Sequence, residues 1–103
     1  MYRVYECGLA KKKEVTKILE ADPYADDSFA RAGYKVKDGQ FLDEDKSKMY
    51  IYIKASEEFL KKADERLKGA AERSKPDVEK RVMEKIVAEE ESAETGLGGI
   101  FGE

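Results

Sequence analysis

The chain has 103 residues, enough for one folded domain and too few for two. Histidine is absent and cysteine occurs once, which excludes a histidine general base, a Ser-His-Asp triad, an internal disulfide and a cysteine zinc cage. Charged residues make up 42% and the net charge is −3. Abundant Lys, Glu and Arg with one Gln and no Asn predict a thermophilic, archaeal-type source.

The hydropathy pattern predicts a cytosolic protein. No stretch approaches the roughly 20 apolar residues that a membrane-spanning helix needs. The first residues, 1–6, carry charge early and lack the apolar core of a secretory signal.

The first half of the chain predicts a strand, a helix and a hairpin. Residues 2–8 are rich in β-forming residues, and residues 10–21 show helical apolar spacing. Residues 23–33 are open to two interpretations: a short helix that starts at Pro23 and ends at Gly33, or a short turn or helix over 23–27 followed by a strand over about 29–37. We favour the second. Asp38-Gly39 predicts a two-residue hairpin turn into a strand over 40–42.

The second half predicts one further strand and two helices. Residues 48–54 alternate between aliphatic and tyrosine side chains, which indicates a strand with two different faces. Ser56 is placed to cap a helix over 57–67. Residues 70–75 are predicted to be a polar linker, and Pro76 opens a helix over 77–94 with a narrow apolar stripe.

This order predicts an α+β fold: a small antiparallel sheet of three to four strands covered by helices. The sequence β-α-β-β-α is an incomplete ferredoxin-like split that lacks a last strand. We expect a compact α+β domain over 1–75, an acidic amphipathic helix over 76–95 and a flexible glycine-rich tail over 96–103. The architecture carries no function by itself.

The C-terminal segment is the strongest functional feature of the sequence. It places three large apolar residues, Leu97, Ile100 and Phe101, among glycines and behind acidic residues that include Glu90 and Glu94. Glycine raises the entropic cost of ordering this segment, while each anchor gains roughly 1.5–3 kcal/mol when fully buried. These features predict a protein-interaction module that binds a protein partner through the C-terminal helix and tail. Terminal disorder and docking of the tail onto its own domain remain alternatives, and a homodimer is a further possibility.

A second hypothesis is the binding of RNA or another single-stranded nucleic acid. Tyrosines at i and i+2 on a central strand can stack bases when a neighbouring strand supplies another ring, and nearby lysines can contact phosphates. The residues assigned to this alternative are Tyr5, Tyr50, Tyr52, Lys11, Lys12 and Lys13.

An enzymatic role has little support in the sequence. The acidic groups at 22–27 and 43–45 lack the donor spacing of a calcium loop, and no Gly-Lys-Ser/Thr follows Gly8. We therefore assign no catalytic residue, metal ligand or cofactor.

Overall fold

A computed structural model describes the backbone of residues 1–22 and 24–102 and the side chains of residues 1–22 and 24–91. This part of the chain forms four strands and four α-helices. In order they are β1 Tyr2–Gly8, α1 Lys12–Glu20, α2 Phe29–Ala32, β2 Tyr34–Asp38, β3 Lys48–Lys54, α3 Glu57–Leu67, β4 Glu72–Arg73 and α4 Pro76–Gly102. Single 3-10 turns span Leu9–Lys11 and Gly39–Phe41.

The strands form one antiparallel sheet in the order β2-β3-β1-β4. Because β3 lies between β1 and β2, the first β-α-β unit is split, as in the ferredoxin-like arrangement. The predicted α+β class and antiparallel sheet are confirmed. The strand that the sequence did not predict is β4, whose two residues pair with Tyr5 and Glu6 of β1. The prediction of a purely polar linker over 70–75 was therefore wrong at these two positions.

One face of the sheet packs against α1, α2 and α3. Alternation along β3 sends Met49, Ile51 and Ile53 to this side, where they meet the apolar faces of the helices. Ser56 caps α3 as predicted, since its side chain accepts a hydrogen bond from the backbone N–H of Phe59 at 3.2 Å.

The opposite face of the sheet packs against α4. Val4, Tyr50 and Tyr52 project from β1 and β3 to meet Val82 and Ile86 of the helix. The predicted apolar stripe of the last helix is therefore its contact with the sheet, and the structure has three layers.

The region before β2 differs from the interpretation that we favoured. Ser28 caps a single helical turn, accepting a hydrogen bond from the backbone N–H of Arg31 at 3.2 Å. Gly33 then reverses the chain with φ of 87°, a conformation that favours glycine. The strand consequently begins at Tyr34 instead of residue 29, and the rejected alternative of a short helix ending at Gly33 was closer.

The predicted hairpin at Asp38-Gly39 was also wrong. A turn over Gly39–Phe41 and a loop connect β2 to β3, and no strand forms over 40–42. Gly39 is needed for a different reason: a Cβ atom there would lie 1.9 Å from the carbonyl oxygen of Asp45. Two backbone N–H groups, those of Leu42 and Glu44, donate to the Gly39 carbonyl at 3.0 Å, which holds the loop in this close approach.

Candidate functional site

The C-terminal helix α4 crosses the sheet from one edge to the other. Near its start, Glu79 contacts β1 and β4. One and two turns later, Val82 and Ile86 are buried on the sheet. Further along, Glu89 and Glu90 lie beside the lysines of β2. The helix thus reaches the last strand of the sheet at residues 89–90.

Beyond Ile86 the side chains of α4 become more exposed. Residues 88–91 all fall in the exposed class, whereas the two preceding turns each contribute a fully buried residue. Glu90 and Glu91 still line a cleft with Lys35 of β2 and Tyr52 of β3, so the helix lies beside the sheet up to residue 91.

The predicted partner-binding residues fall at this end of α4. Glu90 is half-exposed and its Oε1 lies 3.8 Å from Nζ of Lys35. The side chains of Glu94, Leu97, Ile100 and Phe101 lie outside the described residues, so their assignment as partner-binding residues stays a prediction.

A buried carboxylate anchors the start of α4. Glu79 Oε2 accepts the backbone N–H of Val4 at 3.0 Å, and both carboxylate oxygens accept hydrogen bonds from Arg73 at 3.1 Å. These bonds raise the pKa of the Arg73 guanidinium. Strand β4 ends at Arg73, and its ladder with β1 stops at Tyr5, one residue short of Val4. The Glu79 carboxylate therefore accepts the Val4 N–H at this edge of the sheet. Sequence reasoning missed this role, because an acidic residue in the first helical turn is also what the helix dipole favours.

A second set of ion pairs holds the first half of α4 against the β2–β3 loop. Arg81 donates to both carboxylate oxygens of Glu44, at 2.9 and 3.1 Å. This hydrogen bonding lowers the pKa of the Glu44 carboxyl, although its burial acts in the opposite direction. Lys85 donates to the carbonyl oxygen of Leu42 in the same loop. Together with Glu79, these contacts fix residues 79–86 on the sheet.

The predicted base-stacking surface is not exposed in this structure. Tyr50 and Tyr52 are buried beneath α4, and burial raises the pKa of both phenols. Tyr5 lies on the opposite face of the sheet, in the core shared with α3. Its pKa is also raised, first by burial and then by its hydrogen bond to Asp64. The stacking hypothesis requires the three rings to lie on one accessible face of the sheet. In this structure they lie on two faces, and all three are buried.

The lysines assigned to phosphate binding also point to different neighbours. Lys11 donates to the carbonyl oxygen of Gly69 at 2.8 Å, and Nζ of Lys12 lies 3.6 Å from Asp38. Lys13 is exposed on α1. The structure does not bring them together around a single anion site.

One sheet edge carries exposed apolar side chains. Within the described residues no strand pairs with the outer edge of β2. Val36 on this strand is 37% exposed, and Phe41 in the following turn is 68% exposed. Both line a shallow cleft of about 310 Å³ with Lys12, Lys37 and Asp38. We refer to Val36 and Phe41, with their flanking lysines Lys12 and Lys37, as the β2-edge patch.

The described part of the chain has no cluster of three or more acidic or cysteine side chains arranged to hold a metal ion. None of the helices in this part of the chain is both long enough and apolar enough to span a membrane. Comparisons with protein-family models, curated proteins and solved structures found no match to this chain.

Proposed function

We propose that this protein is a protein-interaction module in which an α+β domain presents the C-terminal end of α4 to a protein partner. The observation that carries the proposal is the exposed turn over residues 88–91, where α4 meets the edge strand β2 through the ion pairs of Glu89 and Glu90. The domain thus uses α4 up to residue 90 for its own contacts, and the apolar residues Leu97, Ile100 and Phe101 follow in the sequence.

The spacing of the apolar anchors supports the same proposal. Leu97, Ile100 and Phe101 are related as i, i+3 and i+4, and residues with this spacing share one face of any helix. An amphipathic helix that inserts such a face into an apolar groove is a common mode of peptide recognition.

The glycines of the segment indicate that it depends on an external contact. The last seven residues of α4 include glycines at 96, 98, 99 and 102, and each costs about 0.5–1 kcal/mol relative to alanine within a helix. Contact with a partner would offset this cost by burying the apolar anchors. The acidic residues 89–91 and 94 favour a partner surface with basic residues around its groove.

The proposal includes a cytosolic location and a thermophilic, archaeal-type source. Cys7 is a buried free thiol, which fits a reducing compartment. The twelve ion pairs of the described residues fit the charged surfaces of heat-adapted proteins.

Affinity capture from source-cell lysate tests this function, with nuclease present to remove contacts through nucleic acid. The bait is the full chain, and the test variant carries Leu97→Ser, Ile100→Ser and Phe101→Ser. Tyr24→Ser is the control, because Tyr24 is a large aromatic residue that is 92% exposed and lies far along the chain from the segment.

We expect a protein that binds the full chain and the control, and is lost with the triple variant. The purified partner should then bind the triple variant at least about 100-fold more weakly, which corresponds to roughly 3 kcal/mol over the three anchors. Equal capture by the full chain and the triple variant contradicts the proposal. A signal that disappears with nuclease and ignores the triple variant favours nucleic-acid binding instead.

A further inference from the structure

The alternation of hydrogen bonds across the sheet determines which backbone groups of β2 point outward. In an antiparallel ladder, a residue that bonds to one neighbouring strand is flanked by residues that bond to the other side. The carbonyl oxygen of Val4 in β1 accepts a hydrogen bond from the residue that follows β4, so the next residue, Tyr5, bonds to β3. Its partner there is Ile51. Tyr50 therefore bonds to the opposite neighbour, through Lys37 of β2.

Strand β2 consequently presents unpaired backbone groups along its outer edge. Lys35 and Lys37 bond to β3, which turns the N–H and C=O groups of Tyr34, Val36 and Asp38 outward. No described residue bonds to these outward groups. An edge of this kind is a template on which a further strand can pair.

The charged side chains of β2 are all paired within the same chain. The three pairs are Lys35 with Glu90 at 3.8 Å, Lys37 with Glu89 at 2.5 Å, and Asp38 with Lys12 at 3.6 Å. Unpaired lysines often protect an exposed edge, because two such edges repel each other. Here the pairs balance the charge of the strand, so the edge neither repels an identical edge nor selects a charged peptide.

The centre of the edge is apolar. Val36 is 37% exposed, and it shares the shallow cleft of the β2-edge patch with Phe41, which is 68% exposed. A strand that pairs with β2 at Val36 covers apolar surface from both side chains. This burial adds to the backbone hydrogen bonds that the strand would make.

The sequence of β2 fits a two-fold axis at Val36. In an antiparallel pairing about this axis, Val36 lies opposite Val36 of the second copy, and Tyr34 of each copy lies opposite Asp38 of the other. These three pairs would each exchange two backbone hydrogen bonds, because all of their groups point outward. A register shifted by two residues keeps only two of the three pairs. Lys35 lies opposite Lys37 of the second copy, and the glutamates paired with them bring an equal number of carboxylates to that face.

We propose that β2 of one copy pairs antiparallel with β2 of a second copy about Val36, which joins the two sheets into one continuous sheet. The contact is two-fold and isologous, so it closes on itself and does not extend into a filament. The inference goes beyond the proposed function, because it uses the sheet edge and not the C-terminal end of α4. An edge of five residues makes a small interface, so the dimer should dissociate reversibly on dilution.

Sedimentation velocity over a range of protein concentrations tests this proposal on the full chain. We expect the unmodified chain to dimerise, and Val36→Lys and Val36→Glu each to dimerise at least about 10-fold more weakly, because each places like charges opposite each other on the axis. Circular dichroism melts verify that both variants remain folded. The matched controls are Tyr24→Lys and Tyr24→Glu, which change an exposed residue outside the sheet and should leave dimerisation unchanged.

Mixing the two Val36 variants tests the register itself. An equimolar mixture of Val36→Lys and Val36→Glu places opposite charges on the axis, so we expect a heterodimer at least about 10-fold tighter than either variant forms alone. This rescue requires residue 36 to face its own copy. The mixture of the two Tyr24 variants should show no such gain.

Amide hydrogen exchange reports on the backbone groups directly. We expect exchange at Tyr34, Val36 and Asp38 to slow as the protein concentration rises, because their N–H groups bond only in the dimer. Lys35 and Lys37 bond to β3 in the single chain and should be protected at every concentration.

A chain that stays monomeric at every concentration overturns the proposal, as do Val36 variants that dimerise normally or a Val36 mixture that gains nothing. The variant Leu97→Ser with Ile100→Ser and Phe101→Ser keeps the two proposals separate. If it dimerises normally and loses the captured protein, both are supported. If it loses the dimer, the contact does not lie at β2 and the present proposal is refuted. A monomeric chain whose captured protein is lost with this variant refutes the dimer alone.

Discussion

Replacing Glu79 tests the central structural assignment, that one buried carboxylate joins α4 to the sheet edge. The Glu79→Ala variant removes the acceptor for the Val4 N–H, which belongs to a fully buried residue. An unsatisfied buried N–H costs about 1–3 kcal/mol. Arg73 is half-exposed and can be hydrated when its partner is lost, so the ion pair itself contributes at most about 1 kcal/mol.

These terms give an expected loss of about 1–4 kcal/mol in the free energy of unfolding for Glu79→Ala. For a domain of this size, the Tm should fall by roughly 4–30 °C. The Glu79→Gln variant keeps a carbonyl oxygen for the Val4 N–H and loses the ion pair with Arg73. Glu79→Gln should therefore lower the free energy of unfolding by about 1 kcal/mol. The difference in unfolding free energy between Glu79→Ala and Glu79→Gln measures the hydrogen bond from the Val4 N–H.

Urea unfolding provides the free energies, and amide hydrogen exchange at Val4 reports on the bond itself. The control is Glu84→Ala, since Glu84 is an exposed acid on the same helix whose nearest cation, Lys80, is 4.0 Å away. We expect that control to change stability by less than about 0.5 kcal/mol. If Glu79→Ala is no more costly than Glu84→Ala, or if Val4 exchange is unchanged, the assigned role of Glu79 is wrong.

Three further predictions concern Gly39, Glu44 and Cys7. Gly39→Ala should lower the free energy of unfolding by about 1–3 kcal/mol or more, because its Cβ would meet the Asp45 carbonyl at 1.9 Å. Gly8→Ala is the matched control: Gly8 has open space and an extended backbone, so equal chemical-denaturation midpoints for the two would refute the crowding at Gly39. Glu44 has a pKa below its unfolded value near 4.3, so it stabilises the fold above about pH 4.3, and this contribution is lost as the pH falls through its folded pKa. Thermal melts between pH 3 and pH 6 should therefore show a shallower acid dependence for Glu44→Gln than for the unmodified chain, and identical slopes would contradict this assignment. Cys7 is buried and its pKa is raised by burial, so a thiol reagent should label it far more slowly in the folded protein than in urea; equal labelling rates would show that the site is open.

The sequence was informative where a periodic pattern was long enough. Alternation along residues 48–54 correctly separated Met49 and Ile51 from Tyr50 and Tyr52, and the cap at Ser56 correctly placed α3. The apolar stripe that includes Val82 likewise predicted helix α4, which covers the face of the sheet that carries Tyr50 and Tyr52.

Short elements and long-range contacts could not be predicted in the same way. A two-residue strand such as β4 has no periodicity, and its pairing depends on β1, far away in sequence. Asp38-Gly39 is a common hairpin sequence, but here the approach of the Asp45 backbone decides the loop. The tyrosines at 50 and 52 suit a stacking surface as well as a core, and only the position of α4 distinguishes the two.

The distance along the chain between Val4 and Glu79 has a consequence for protein synthesis. The two residues are 75 positions apart, and a ribosome adds roughly 5–20 residues per second, so the second is made roughly 4–15 s after the first. In the last part of this interval, once Tyr50 and Tyr52 have been added, the nascent chain still lacks the residues of α4 that cover them. Aggregation on the ribosome should therefore be a greater risk for this protein than aggregation after release, and slower translation of the α4 codons should reduce the soluble yield.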